Sequence, residues 1–367
     1  MKAVFRADAS VQIGTGHVMR CLTLAHLLKA KGAECHFICR DLPGNRIEHI
    51  ADQGFCVHRL KALPASAEME VFESQATLTH AAWLGCTPDE DRAECEPILA
   101  ALNPSWLIVD HYALDAAWET ALAHRYAKLL VIDDLADRQH HCQLLLDQTF
   151  SRTADEYQYW VPEACTILCG SKYALLRPEF AEVREHSLAR RLPDDCPRSL
   201  LIAMGGVDKD NATGLVLDAL RCSQLPVQCQ ITVIMGDASP HLHAVQQKAK
   251  RMPWATAVLV DTQEMAQLMA ESDFAIGAAG ATSWERCCLG LPAIMVVLAE
   301  NQQLIARGLA GIGAVEVIES SGRIANQLPG MIDSMVASPE RLYRMSQAAR
   351  QVTDGRGASL ITQLMEV

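Results

Sequence analysis

The chain has 367 residues, 50% of them hydrophobic and 21% charged, with a formal net charge of −12. That length exceeds most single cores, so two domains are expected, and the acidic balance excludes a nucleic-acid binder built on clustered Lys and Arg. No apolar run is long enough to span a membrane, and the apolar start of "MKAVFRADAS" is interrupted by Arg6 and Asp8, so no membrane partner is expected and the cytoplasm is the expected compartment.

From the N-terminus, short apolar runs alternate with helical patterns, the signature of βαβ units and parallel sheets. Strands are predicted over 3–8, 35–39, 55–60, 106–112, 128–134 and 142–148, with helices over 17–32, 45–54, 93–104 and 116–127. The first helix carries Val18, Cys21, Leu22, Ala25 and Leu28 near a 3.6 period and stops at Gly32. The stretch "REHSLARRLPDDCPRS" is charged, contains proline and has no sustained apolar period, so 183–198 is expected to be a linker.

The alternation then restarts. Strands are predicted over 199–206, 229–236, 255–261, 273–278, 292–299 and 314–318, with helices between them and two more at 325–338 and 339–352. The expected organisation is an N-terminal Rossmann-like domain over 1–182 and a C-terminal one over 199–367, whose last helices can pack back on the first domain. Two doubly wound domains predict an interdomain cleft at the carboxyl ends of their strands, where open α/β sheets bind ligands.

Fourteen cysteines are scattered, mostly inside apolar segments, with no CxxC pair; the nearest cluster, His140-His141-Cys142, lacks a second half at zinc-ligand spacing. Reduced, packed thiols are expected.

Three loops fall at strand ends. In "DASVQIGTGH", Gly14 and Gly16 precede His17 at the start of the first helix. The position where a dinucleotide fingerprint has its third glycine is Met19, so this is not the usual nicotinamide loop. A neutral imidazole at a helix N-terminus can serve as a base, since the dipole disfavours its cation. Arg20, one turn on, either faces anionic groups or covers the helix, and Asp8 either orients substrate hydroxyls or His17 itself.

In "MGGVDKDN", the glycines, Gly206 among them, would let backbone amides face a ligand, while Asp208 and Asn211 either bind substrate or cap the next helix. In "IGAAGATSWE", small residues allow close approach, and Thr282 and Ser283 either cap the helix or cradle a phosphate at its N-terminus. Glu285, a carboxylate in the first turn, suits ribose hydroxyls rather than a pyrophosphate. Asn301 and Gln302 follow the next strand, and together these groups suggest a nucleotide-diphosphate-sugar site.

"FRADAS…IGTGHVMRCLTLA", "VDHY", "VIDD", "YALLRPEF", "MGGVDKDN" and "GAAGATSWERCCLGLPAIMVVLAENQ" run across both halves in order. They resemble the PseG family, the UDP-2,4-diacetamido-2,4,6-trideoxy-β-L-altropyranose hydrolases of pseudaminic acid synthesis. The resemblance implies a GT-B-like fold, a small-molecule UDP-sugar substrate, and inverting cleavage of the sugar C1–O bond by water, with no metal and no cofactor.

By position it implies His17 as general base, Glu285 as the ribose-binding acid, Asn301 as a substrate contact and Thr282-Ser283 as the diphosphate cradle; Tyr112, in "VDHY", is grouped with the substrate-binding residues. Extra length over 61–95 and near the C-terminus departs from compact members and bears on which sugar is taken. A GT-B glycosyltransferase, a hydrolase of a related UDP-diacetamido sugar and a non-enzymatic nucleotide-sugar module are the alternatives. A monomer, or at most a weak oligomer, is expected.

Overall fold

A computed structural model describes residues 1–62, 78–193 and 196–365. The chain divides into two compact units, Met1–Leu175 with Gly357–Val367, and Leu176–Arg356.

In the first unit, strands β1 (Lys2–Ala7), β2 (Glu34–Arg40), β3 (Cys56–Leu60), β4 (Trp106–Asp110), β5 (Lys128–Ile132), β6 (Leu144–Asp147) and β7 (Thr166–Cys169) form one sheet in the order β3-β2-β1-β4-β5-β6-β7. All its pairings are parallel. Both faces are covered, which is why these strands read as nearly continuous apolar runs. Ala3, Phe5, Phe37 and Ile108 pack on one face with Leu24 and Leu28 of the helix Gly16–Ala30. Val4, Ile38, Leu107 and Val131 pack on the other with Cys95 and Leu99 of the helix Pro88–Leu102. Burying each large aliphatic or aromatic side chain contributes roughly 1.5–3 kcal/mol, so the two layers fix the orientation of everything at the strand ends.

The second unit repeats the plan with β8 (Ser199–Ala203), β9 (Gln230–Met235), β10 (Ala255–Val260), β11 (Phe274–Ala278), β12 (Ala293–Val296) and β13 (Val315–Ile318), in the order β10-β9-β8-β11-β12-β13. The strand order reverses between β1 and β4 in one sheet and between β8 and β11 in the other. Such switch points are where open α/β sheets hold ligands, and the three motif loops follow β1, β8 and β11.

The expected linker at 183–198 and the expected extent of the second domain, 199–367, are corrected. The stretch 183–198 begins inside a helix, Pro178–Ala189, that belongs to the second unit. It lacks an apolar period because much of its docking is polar: Arg184 donates to the carbonyls of Arg350 and Thr353, Ser187 to that of Leu289, and Arg191 to those of Leu289 and Ser272. At the other end, Gly357–Leu364 forms a helix of the first unit, with Ala358, Ile361 and Met365 in its core and Met365 O accepting from Trp106 Nε1 at 3.3 Å.

The short strand β7 was not anticipated. Of the extra segment at 61–95, residues 63–77 lie outside the described residues, and the remainder includes His80, Trp83 and the start of the helix Pro88–Leu102. No described helix is long and apolar enough to cross a membrane. Three cysteines expected to be packed, Cys56, Cys196 and Cys222, are exposed.

Candidate active site

The loop after β1 is a tight turn. Gly14 N donates to Ser10 O at 2.8 Å, Ser10 Oγ accepts from the backbone N–H groups of Gln12 and Ile13, and Gly14 has φ +78°, a conformation that favours glycine. The turn delivers the chain into the helix Gly16–Ala30, whose N-cap, Thr15, makes no side-chain cap. Gly16 has ordinary helical backbone, and a Cβ there would meet nothing within 4 Å.

His17, in the first turn, is buried, with its Nδ1 2.5 Å from Oδ1 of Asp110 at the end of β4. Asp110 also accepts from Arg20 Nε at 2.6 Å and Nη2 at 2.7 Å, a two-pronged guanidinium–carboxylate pair. Burial alone would raise the Asp110 carboxyl, but the charges and hydrogen bonds of Arg20 and His17 hold it well below the usual carboxylate range. An ionised Asp110 accepts only, so His17 Nδ1 is the donor in this contact and Nε2 is the ring nitrogen outside it.

The third nitrogen of Arg20 is fixed by Asp134, whose Oδ2 accepts from Nη1 at 2.6 Å and from Tyr112 OH at 2.7 Å. The Tyr112 ring stands edge-on to His17 at 4.6 Å between centroids, with Trp83 stacked on it at 5.7 Å and the Arg138 guanidinium 5.8 Å from its centre. The imidazole is thereby clamped by a carboxylate on one side and an aromatic ring on another.

This geometry differs from expectation at three residues. Asp8 does not orient His17: it is fully buried, with Arg6 Nη1 2.8 Å away, His111 Nε2 3.4 Å away and Arg40 N donating to it at 2.7 Å, so it neither touches the imidazole nor faces solvent. Arg20 is spent on Asp110 and Asp134 rather than presented to an anion. Tyr112 is buried, with its hydroxyl committed to Asp134. Asp110 and Asp134 stand in or just after apolar strands, in "VDHY" and "VIDD", with no spacing in the sequence that ties either to His17 or Arg20.

In the second unit, Gly205, not Gly206, has the positive φ, +99°. Gly206 O accepts from Gly236 N at 3.0 Å, joining the ends of two adjacent strands. Asp208 takes the capping alternative, its two oxygens accepting from Ala212 N at 2.8 Å and Thr213 N at 2.9 Å. Asn211 holds left-handed backbone at φ +55°, with its side chain against Gly214.

Below the loop that follows β11, Arg286 is buried and donates to Ala278 O at 2.7 Å, Ser283 Oγ at 3.2 Å and Thr282 Oγ1 at 3.3 Å. Burial lowers its pKa, and among the described residues no carboxylate forms an ion pair with it. A cation without a direct carboxylate contact therefore underlies the Gly-Ala loop, its charge opposed through space by Glu285. Glu285, half-buried, has its carboxyl pushed up to about 7 by burial, against the opposing charges of Arg177 and Arg286. Gln302 Oε1 accepts from Leu298 N at 2.9 Å and so closes its own turn. Asn301 lies in the same turn, Glu300–Gln302, and its side chain falls outside the described residues.

The two-unit plan, with its parallel seven- and six-stranded sheets, is that of GT-B glycosyltransferase-like proteins. It is similar over 100% of its length, and 99% of the other chain, to the crystal structure of Acinetobacter baumannii MurG, with a TM-score of 0.69 at 16% identity. Residues 200–361 match the glycosyltransferase family 28 C-terminal domain.

Over 85% of this chain, and 97% of the relative, the sequence is 28% identical to the UDP-2,4-diacetamido-2,4,6-trideoxy-β-L-altropyranose hydrolase of Campylobacter jejuni. It is 29% identical to the spore coat polysaccharide biosynthesis protein SpsG of Bacillus subtilis over 54% of this chain and 57% of that one. These matches, over 85% of the chain and over residues 200–361, fall on proteins of the kind the motifs resemble.

Proposed function

We propose that this protein hydrolyses UDP-2,4-diacetamido-2,4,6-trideoxy-β-L-altropyranose to UDP and the free sugar, with inversion at C1. The observation that carries the reading is the His17–Asp110 pair at the switch point of the first sheet. Nε2 of His17 takes a proton from water as the water oxygen attacks C1 and the C1–O bond breaks. The Asp110 carboxylate holds the ring in the required tautomer and stabilises the imidazolium as it forms.

UDP is a good leaving group, so the carboxylic acid that protonates an ordinary glycoside's leaving oxygen is not required, and no metal is assigned a step. Charge on the departing diphosphate is met by the backbone N–H of Thr282 at the helix start and by the Arg286 cation beneath it, the Ser283 N–H being held by Gly280 O at 2.9 Å. Glu285 accepts from the ribose hydroxyls, and Asn301 contacts the substrate. The cytoplasm is the proposed compartment.

Incubation in ¹⁸O-labelled water tests the bond cleaved: the label is expected on the sugar, and label on UDP overturns the mechanism. The family 28 domain match supports a second reading, glycosyl transfer with His17 deprotonating an acceptor hydroxyl. Release of free sugar at full rate without an acceptor decides for hydrolysis, and turnover only with an added acceptor decides for transfer.

A further inference from the structure

Catalysis is assigned to the carboxyl ends of the first sheet; the opposite end of its edge carries a second chemical cluster. The parallel register of β2 and β3 pairs His36 with Cys56 and Ile38 with His58. Side chains alternate along a strand, so Glu34, His36, Cys56 and His58 share one face. A ligand atom from each of His36, Cys56 and His58 lies within 4.8 Å of the others. His36 Nδ1 is 3.2 Å from His58 Nε2, and Cys56 Sγ is 3.9 Å from that same nitrogen.

These separations resemble those around one tetrahedral ion. With Zn–N near 2.05 Å and Zn–S near 2.3 Å, two ligand nitrogens stand about 3.3 Å apart and a nitrogen and a sulfur about 3.6 Å apart. Two of the three separations therefore need to change by only a few tenths of an ångström, and the third, between Cys56 and His36, lies within 4.8 Å and closes by a rotation of the exposed Cys56 side chain. The supporting hydrogen bond is also present: His36 Nε2 lies 2.8 Å from Glu34 Oε1. A proton donated to that carboxylate leaves the Nδ1 lone pair directed at the cluster, the arrangement by which a carboxylate orients a metal-bound histidine. His36 is buried and His58 half-buried, so the rings are held, whereas Cys56 is exposed and can be reached from solvent. One thiolate with two imidazoles selects a borderline-soft ion over magnesium or calcium.

We propose that His36, Cys56 and His58 bind one Zn²⁺, with Glu34 orienting His36 and water completing the coordination, and that the ion staples the edge strand β3 to β2. On binding, the Cys56 thiol loses its proton and the His58 Nε2 proton passes to Nδ1, so one proton is released per ion.

The test uses the full chain, stripped with a chelator and titrated with Co²⁺ and then Zn²⁺. The expected result is one equivalent of Co²⁺ with tetrahedral visible bands and a thiolate-to-cobalt charge-transfer band, displacement by Zn²⁺, and a higher melting temperature with metal. Cys56→Ser should abolish the charge-transfer band while leaving the circular dichroism unchanged, His58→Ala should remove stoichiometric binding, and Glu34→Gln should weaken affinity roughly 10–100-fold. The other thirteen cysteines remain in Cys56→Ser and act as its control. A parent without the band, or a Cys56→Ser variant that keeps it, overturns the proposal in favour of a plain His58-to-His36 hydrogen bond.

Discussion

His17 Nδ1 and Asp110 Oδ1 meet at 2.5 Å although 93 residues separate them in the chain. The contact arises because β1 and β4 are hydrogen-bonded neighbours, so the loop after one strand and the last residue of the other share an edge of the sheet. Replacing Asp110 by Asn keeps the shape but removes the charge that fixes the tautomer and neutralises the imidazolium. We expect kcat for UDP release to fall by about 10²–10⁴, with the UDP dissociation constant changed by less than threefold or so. Steady-state kinetics and calorimetry check this, and a kcat near that of the parent removes the positioning role of Asp110.

Gly16 separates folding from binding. Its backbone is helical and a Cβ would meet nothing within 4 Å, so Gly16→Ala should leave stability unchanged or raise it by about 0.5–1 kcal/mol. If substrate approaches the helix start, the same methyl group should raise KM at least several-fold. A thermal melt alongside KM decides: a stable variant with unaltered KM shows that nothing binds against Gly16.

Much of the fold was legible because parallel strands buried on both faces are apolar throughout, as in "WLIVD" and "FAIGA", and the loops with positive-φ glycines mark their ends. The helix Pro178–Ala189 was illegible for the opposite reason: Arg184, Ser187 and Arg191 dock through guanidinium and hydroxyl bonds to carbonyls, which leave no hydrophobic period. At the site, His17 could be found from the glycines before it, but its partner could not. Asp8 follows β1 and Asp110 ends β4, and only the register of β1 with β4, together with the burial of Asp8 by Arg6 and Arg40, decides between them. The Glu34-His36 and Cys56-His58 pairs are illegible in the sequence because two-residue spacing becomes a ligand set only when two strands align. The contiguous His140-His141-Cys142 is the more conspicuous cluster in sequence, yet His140 Nδ1 is 2.7 Å from Glu119 Oε1.

Asp91 supports the sheet from the helix Pro88–Leu102. Its oxygens accept from Arg6 Nε at 3.2 Å and Nη2 at 2.6 Å, and from Arg40 Nη2 at 2.9 Å, with all three side chains fully buried. Burial opposes its ionisation, but the two arginines outweigh it and hold the carboxyl below its ordinary value. A depressed folded-state pKa contributes stability above the unfolded value, near 3.9, and loses it as pH falls through the folded value. Asp91→Asn should therefore cost at most about 3–5 kcal/mol at pH 7, since it removes the carboxylate that both arginines share while Asp8 stays beside Arg6 and Glu94 beside Arg40. In urea melts the gap from the parent should narrow below about pH 4; a gap that does not depend on pH argues for packing rather than charge.

Glu285 has the opposite sign. Its carboxyl is raised from 4.5 to about 7, so the folded state holds its proton more tightly than the unfolded one. The cost to stability appears as pH rises above the unfolded value and is complete above about 7. Glu285→Gln should melt with the parent near pH 4 and above it at pH 8, by at most about 3 kcal/mol. If Glu285 receives the ribose hydroxyls, UDP affinity in the parent should also strengthen through pH 7, a dependence the variant lacks. Parallel melting curves at both pH values contradict the burial argument; a shared UDP pH profile contradicts the ribose contact.

Gly277 tests whether the Arg286 cation serves the nucleotide. This residue lies in β11, where a Cβ would collide with Arg286 Nη1 and stand 2.9 Å from Ala203 O at the end of β8. The guanidinium therefore occupies the space that the missing side chain leaves, and from there it reaches Ala278 O, Thr282 Oγ1 and Ser283 Oγ. Gly277→Ala must push the guanidinium or part the strands, and overpacking of this kind costs about 1–3 kcal/mol. Arg286→Met, which keeps bulk and removes the charge, separates the two effects. Since a buried cation without a carboxylate partner is expensive, Arg286→Met should hold or raise the melting temperature while weakening UDP binding at least tenfold and uridine binding little. Equal losses for UDP and uridine would mean that Arg286 shapes the loop without answering the diphosphate charge.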